Sequence, residues 1–154
     1  MRVSDTLKAA AIITGATWPD FESAVEALVG KLVACGDLPA RLEREAVRAV
    51  CARERMASTA MVDIGVSIPH SRLDGVERVV SALAVSPRAI YGASAGTPIS
   101  IVALVLSPPA LTGEHLNFLS ALSLVLHSAG LRRLLQEAPT PEAALELIRS
   151  HESR

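Results

Sequence analysis

The chain has 154 residues, 50% of them hydrophobic and 20% charged, which is material for a single core-bearing domain spanning 1–154. A formal net charge of −1 and 3% aromatic residues supply neither the basic field nor the stacking rings of a nucleic-acid partner, and no attraction to an acidic membrane surface. The two cysteines, Cys35 and Cys51, form no CxxC pair and have no His or Cys at ligand spacing. They are expected to be buried free thiols in a reducing compartment, with no metal site and no cofactor.

The first residues, MRVSDTLKAAAIITG, resemble a secretory leader only in their apolar run, since Asp5 and Lys8 break it and no cleavage pattern follows. Within them, Lys8 to Thr14 reads as a short first strand. PDFESAVEALVGKLVACG reads as a helix, with Pro19 at its first position and Asp20 and Glu22 at its positive end. Phe21, Val25, Leu28, Leu32 and Val33 recur at helical spacing, and Gly36 falls just past the end. A second helix is expected from about Pro39 to Arg55, with Leu42, Ala46, Ala49 and Val50 on one face and solvated, paired charges on the other.

The period then changes. TAMVDIGVSIP reads as two short extended pieces joined at Asp63–Gly65, with Gly65 serving the turn. RVVSALAVSP and PISIVALVLSPP are β-rich runs, and Gly96 and Pro98 are expected to set the turn before the second. That run is apolar on both faces, as a covered central strand would be, and is too short and proline-interrupted to cross a bilayer. TGEHLNFLSALSLVLHSAG reads as a helix capped by Thr112 and ended by Gly130, with Leu116, Leu119, Leu122 and Leu126 facing the core. LRRLLQEA adds a short helix, and TPEAALELIRSHE a last one with Thr140 as cap and Pro141 at its first position. The order predicts an α/β fold, a mixed β-sheet sandwiched between helices on both faces, in a cytoplasmic protein.

The stretch GVSIPHSRLDG holds the chemistry. Pro69 fixes its own φ and biases Ile68 towards extended geometry, so His70 leaves the strand end in a defined direction, with Ser71 and Arg72 beginning a turn. An imidazole so placed could be a nucleophile, a base, a metal ligand or a surface residue. Two further segments bear on the choice. ARERMAST supplies Arg53, Glu54, Ser58 and Thr59, and SPPALTGEHLNFLSAL supplies His115 near a helix start. A cation, a second histidine and hydroxyls are what a phosphoryl group on His70 would need. Phosphoryl transfer asks mainly for positioning and charge stabilisation, so few residues suffice.

Together, ARERMASTAMVDIGVSIPHSRLDGV, GTPISIVALVLSPP and EHLNFLSALSLVL resemble the enzyme IIA domain of the fructose/mannitol type in bacterial phosphoenolpyruvate-dependent phosphotransferase systems, including its stand-alone nitrogen-regulatory members. Ser67 stands where alanine is commoner in that family, and Asp63 where a glycine or neutral polar residue is. The resemblance implies that His70 is the phosphorylated residue, His115 a second active-site histidine, and Arg53 the group that steadies the phosphoryl. It further implies phosphorylation by an HPr-type phosphocarrier and transfer to an enzyme IIB, or phosphorylation-dependent binding of a regulated target protein.

Glu54 is read as a partner of Arg53 or a helix-end hydrogen-bonder, and Ser58 and Thr59 as caps or pocket residues. His127 is read as structural and His151 as part of a frayed tail. A hydrolase is disfavoured because no G-x-S-x-G elbow exists and no acid is spaced to orient His70.

Overall fold

A computed structural model describes residues 1–92 and 98–154. Gly96, expected in the turn before the last strand, lies outside the described residues. Among the described residues there are five α-helices: α1 (Phe21–Ala34), α2 (Glu43–Met56), α3 (Thr112–Leu126), α4 (Ala129–Gln136) and α5 (Pro141–Glu152). The strands are β1 (Ile12–Thr14), β2 (Ala60–Met61), β3 (Val66–Ser67), β4 (His70–Arg72), β5 (Val80–Val85), β6 (Tyr91–Gly92), β7 (Pro98–Ile99) and β8 (Ile101–Ser107). Six strands form one mixed sheet in the order β1-β5-β8-β3-β2, with β4 also paired to β8, while β6 and β7 form a separate ribbon. The β1–β5, β3–β8 and β4–β8 pairs are parallel, and β5–β8 and β2–β3 are antiparallel.

Every residue of β5 and β8 is buried, which is why both runs are apolar on both faces. Side chains of β8 alternate between two cores. Val102, Leu104 and Leu106 pack with the α1 and α2 residues, among them Val25, Leu28 and Val50. Ile101, Ala103 and Val105 pack with Phe118, Leu122, Leu135 and Ile148 from α3, α4 and α5. The sheet is therefore covered on both faces, as the order of elements predicts.

Local chemistry moved several boundaries. Lys8–Thr14 is not all strand: Ala9–Ala11 is a 3-10 turn, and only Ile12–Thr14 pairs with β5. Three consecutive alanines carry weak β preference, so the ladder begins where the β-branched isoleucines do. Pro19 is not the first helical residue of α1; Asp20 is its N-cap, and its carboxylate accepts from the Ser23 amide at 2.8 Å. Gly36, at φ +82, closes α1 as expected: its amide reaches the Val33 carbonyl and the Asp37 amide the Leu32 carbonyl, a Schellman pair. The next helix opens with a 3-10 turn, Ala40–Leu42, before Glu43. Cys35 is the C-cap of α1 and only half-buried, whereas Cys51 is buried.

Thr112 is the first residue of α3 rather than its cap, which is Leu111. Gly130 does not end that helix. The Ser128 hydroxyl accepts from the Leu131 amide and starts α4, which holds Gly130 inside its first turn. The core face of α3 is His115, Phe118, Leu122, Val125 and Leu126, while Leu116 is 54% exposed. No single helix among the described residues is long and apolar enough to cross a membrane.

Candidate functional site

β3 and β4 are one strand interrupted by Ile68–Pro69. The register against β8 runs through the break without slipping: Val66 lies opposite Ile101, Ser67 opposite Val102 and His70 opposite Val105. Proline cannot donate to the ladder, but its carbonyl accepts from the Val105 amide at 3.0 Å, so pairing resumes at once. Ser71 and Arg72 therefore belong to β4 and begin no turn; the reversal comes at Gly75, at φ +94. The edge of β8 offers them partners that no local sequence signal could announce.

The kept register also fixes where His70 points. Neighbours in a parallel pair share a face. Val105 faces the core under α3, so the His70 ring does too, and Arg72, opposite Ser107, follows on the same side. The His70 Nδ1 lies 2.8 Å from the Ile68 carbonyl oxygen. A carbonyl only accepts, so Nδ1 carries a proton, and in the neutral ring it is Nε2 that keeps the lone pair.

His115, one turn into α3, is buried, and its ring centroid is 5.5 Å from that of His70, the planes tilted by 56°. Its Nδ1 shares a 2.5 Å hydrogen bond with the hydroxyl of Ser107, the last residue of β8. Burial, then the neighbouring His70 and Arg72, push the His115 pKa below the ordinary imidazole value, which keeps the ring neutral near pH 7. Arg72 Nη1 donates to the Thr112 hydroxyl at 3.1 Å and so ties β4 to the start of α3.

The remaining sequence-predicted residues cluster at the end of α2. Arg53 Nη1 donates to the Ala57 carbonyl at 3.1 Å, closing the helix C-terminus. Glu54 is a helix-end hydrogen-bonder: its carboxylate accepts from the Thr59 amide at 2.8 Å and the Thr59 hydroxyl at 2.7 Å. Ser58 accepts from the Ala60 amide. Thr59 Oγ1 in turn lies 3.4 Å from Ser67 Oγ, three residues before His70. Burial pushes the pKa of Tyr91 up to about 12. Thus the two histidines are brought together directly, and Glu54, Thr59 and Ser67 form a chain of bonds leading to the strand that carries His70.

His127 is exposed, with Nδ1 on the Ser123 carbonyl, and His151 lies within α5 rather than in a frayed tail. No three His, Cys, Asp or Glu side chains among the described residues converge to hold a metal ion. Sequence reasoning missed Ser107 and the side chain of Arg72. The first left one faint signal, a polar residue at the exit of an otherwise apolar run.

The chain is thus an α/β protein whose mixed sheet, covered by helices on both faces, brings two histidines together at one strand. Residues 5–151 match the family described as "Phosphoenolpyruvate-dependent sugar phosphotransferase system, EIIA 2", and the chain belongs to that family. It is 36% identical over 98 residues to a nitrogen regulatory protein of Pseudomonas aeruginosa, a match that spans 63% of each chain. It is 32% identical over 128 residues to the fructose-specific EIIA component of Haloferax volcanii, covering 82% of this chain and 81% of that one. Among solved structures, the nitrogen regulatory protein IIA-Ntr from Neisseria meningitidis superposes with a TM-score of 0.81 at 25% identity, over 95% of this chain and 98% of that one.

Proposed function

We propose that residues 1–154 act as one histidine phosphocarrier domain that accepts a phosphoryl group on His70 from an HPr-type protein, in the cytoplasm. The observation that carries this is the Ile68 carbonyl on Nδ1, which leaves Nε2 of His70 free beside buried His115. Nε2 attacks the phosphorus of the donor's phosphohistidine. The N–P bond to the donor breaks, its electron pair returns to the donor's ring, and the new N–P bond forms on His70. The proton on Nδ1 stays in place, and its bond to the carbonyl steadies the positive charge that builds on the ring.

His115 serves as a donor to the transferring group. With the Ser107 hydroxyl donating to Nδ1, its proton sits on Nε2, and a neutral ring can donate there without changing rotamer. Arg53 is the cation that steadies the phosphoryl oxygens, leaving its bond to Ala57 to do so, while Glu54, Ser58 and Thr59 hold the end of α2 in place.

Onward transfer goes to an enzyme IIB. The second reading is a regulatory module that binds a target protein according to phosphorylation state, and the similarity to proteins named as nitrogen regulatory supports it.

The test is intact-mass spectrometry after incubation with phosphoenolpyruvate, enzyme I and an HPr-type carrier. The wild type should gain one acid-labile, alkali-stable phosphoryl group and His70→Ala none; equal labelling of His70→Ala would end this reading. Arg53→Ala should fold normally, without a large loss of stability, but label far more slowly, by about 2–4 kcal/mol of barrier. His115→Ala should still be labelled but return the group slowly; a folded variant that cannot be labelled would make His115 the acceptor.

A further inference from the structure

A groove of about 770 Å³ runs along the outer side of α2 to the end of β4, lined by Arg41, Arg44, Arg48 and Arg72. Glu45 and Asp74 are its carboxylates, so the groove holds an excess of two positive charges in a chain of formal net charge −1. Arg44 and Arg48 are one helical turn apart, and Arg41 precedes them by three residues, so the three side chains project in a row. All three are exposed, and none pairs with a carboxylate among the described residues. Like charges so spaced repel on a helix, and the packing of α2, which rests on Ala46, Val50 and Cys51, does not need them. The repulsion is relieved when an anion lies across the row.

We propose that this groove docks an acidic segment of a partner protein, and, resting on the reading of His70 as phosphoacceptor, that phosphorylation of His70 weakens the docking. Arginine suits such a surface because its planar fork pairs bidentately with carboxylates. A nucleic acid fits less well: no aromatic side chain lines the groove to stack a base, and the two carboxylates interrupt any phosphate track. Arg72 joins the groove to the histidines. It sits two residues from His70 on the same face of β4, and its charge is felt by His115. A phosphoryl group brings about two negative charges, which matches the excess in the groove and draws on Arg72 first. The phosphorylated protein then presents a nearly neutral surface.

The probe is a fluorescein-labelled Glu-rich peptide titrated in about 0.15 M salt, read by fluorescence anisotropy, with a labelled single-stranded RNA of equal charge as the comparison. Dephosphorylated wild type should bind the peptide saturably at one site, and R44E/R48E should lose about tenfold or more in affinity. R133E/R154E makes the same change in net charge at exposed positions away from the groove and should bind as the wild type does. Melting curves check that both doubles fold, and Arg44→Gln with Arg48→Gln gives a milder version of the same loss. Equal loss in both double variants, or no binding of the peptide, overturns the proposal. Tighter binding of the RNA, abolished by R44E/R48E, overturns it in favour of nucleic acid. If labelled protein phosphorylated at His70 binds the peptide undiminished, the charge switch fails while the phosphoacceptor reading stands. If no phosphoryl is gained at all, that reading fails while the peptide arm is still decided by the dephosphorylated protein.

Discussion

At the scale of single residues, a carbonyl two positions upstream decides which nitrogen of His70 is free, and a serine at the end of β8 orients its neighbour. His115 is held neutral by burial, with His70 and Arg72 adding to the effect. Its folded pKa lies below the unfolded value, so the unfolded chain binds a proton first as the solution acidifies. The stability this contributes is complete above about pH 6.5 and is lost as the pH falls through the folded pKa. Urea midpoints at pH 7.5 and 5.0 should therefore fall further for the wild type than for His115→Gln, and equal falls would refute it. Tyr91 has the opposite sign. Its folded pKa is raised to about 12 and the neutral form is favoured, so its contribution is intact below pH 10 and is lost as pH rises towards 12. Across that window the wild type should lose about 2–3 kcal/mol more stability than Tyr91→Phe, measured by urea titration at each pH.

At the scale of elements, the turn between β2 and β3 and the middle of α1 offer a controlled pair of glycines. Gly65 has φ +69, and a Cβ there would sit 3.0 Å from the Pro98 carbonyl oxygen. Gly65→Ala combines left-handed strain with a backbone clash and should cost at least about 1–2 kcal/mol. Gly30 lies in α1 with room for a methyl group, its nearest neighbour being Glu43 Oε2 at 3.8 Å. Gly30→Ala should stabilise by about 0.5–1 kcal/mol through helix propensity and a less flexible unfolded chain. Denaturant midpoints that moved in the same direction for both would contradict this account. Gly36, Gly65 and the Thr140 cap were visible in the sequence because their chemistry is local, whereas Thr112 and Gly130 carried the same signals without serving as cap and stop. Where two start signals stood side by side, as at Pro19 and Asp20, the residue able to satisfy an open amide took the cap.

At the scale of the whole molecule, one sheet separates two apolar layers, and α3 belongs to the layer that also positions the histidines. Phe118 is fully buried there, three residues after His115. Phe118→Ala should cost about 3–5 kcal/mol by transfer and cavity terms, read as a lowered urea midpoint. Because the same helix carries His115, phosphoryl transfer should slow in that variant even under conditions where it remains folded. A transfer rate equal to the wild type's would show that the site tolerates a loosened α3.

The sequence by itself determined the broad succession of helices and strands, the one covered central strand at PISIVALVLSPP, and the strand-end histidine with a proline before it, because each rests on spacing or on backbone chemistry within a few residues. The family resemblance rested on the same short stretches. Only the tertiary structure decided that Ser71 and Arg72 continue a strand, that Leu116 faces outward while His115 is buried, and that Ser107 meets His115. Each of these depends on which strand lies alongside and in what register. That pairing is set by closing the chain over more than thirty residues between His70 and Val105, and no local period encodes it.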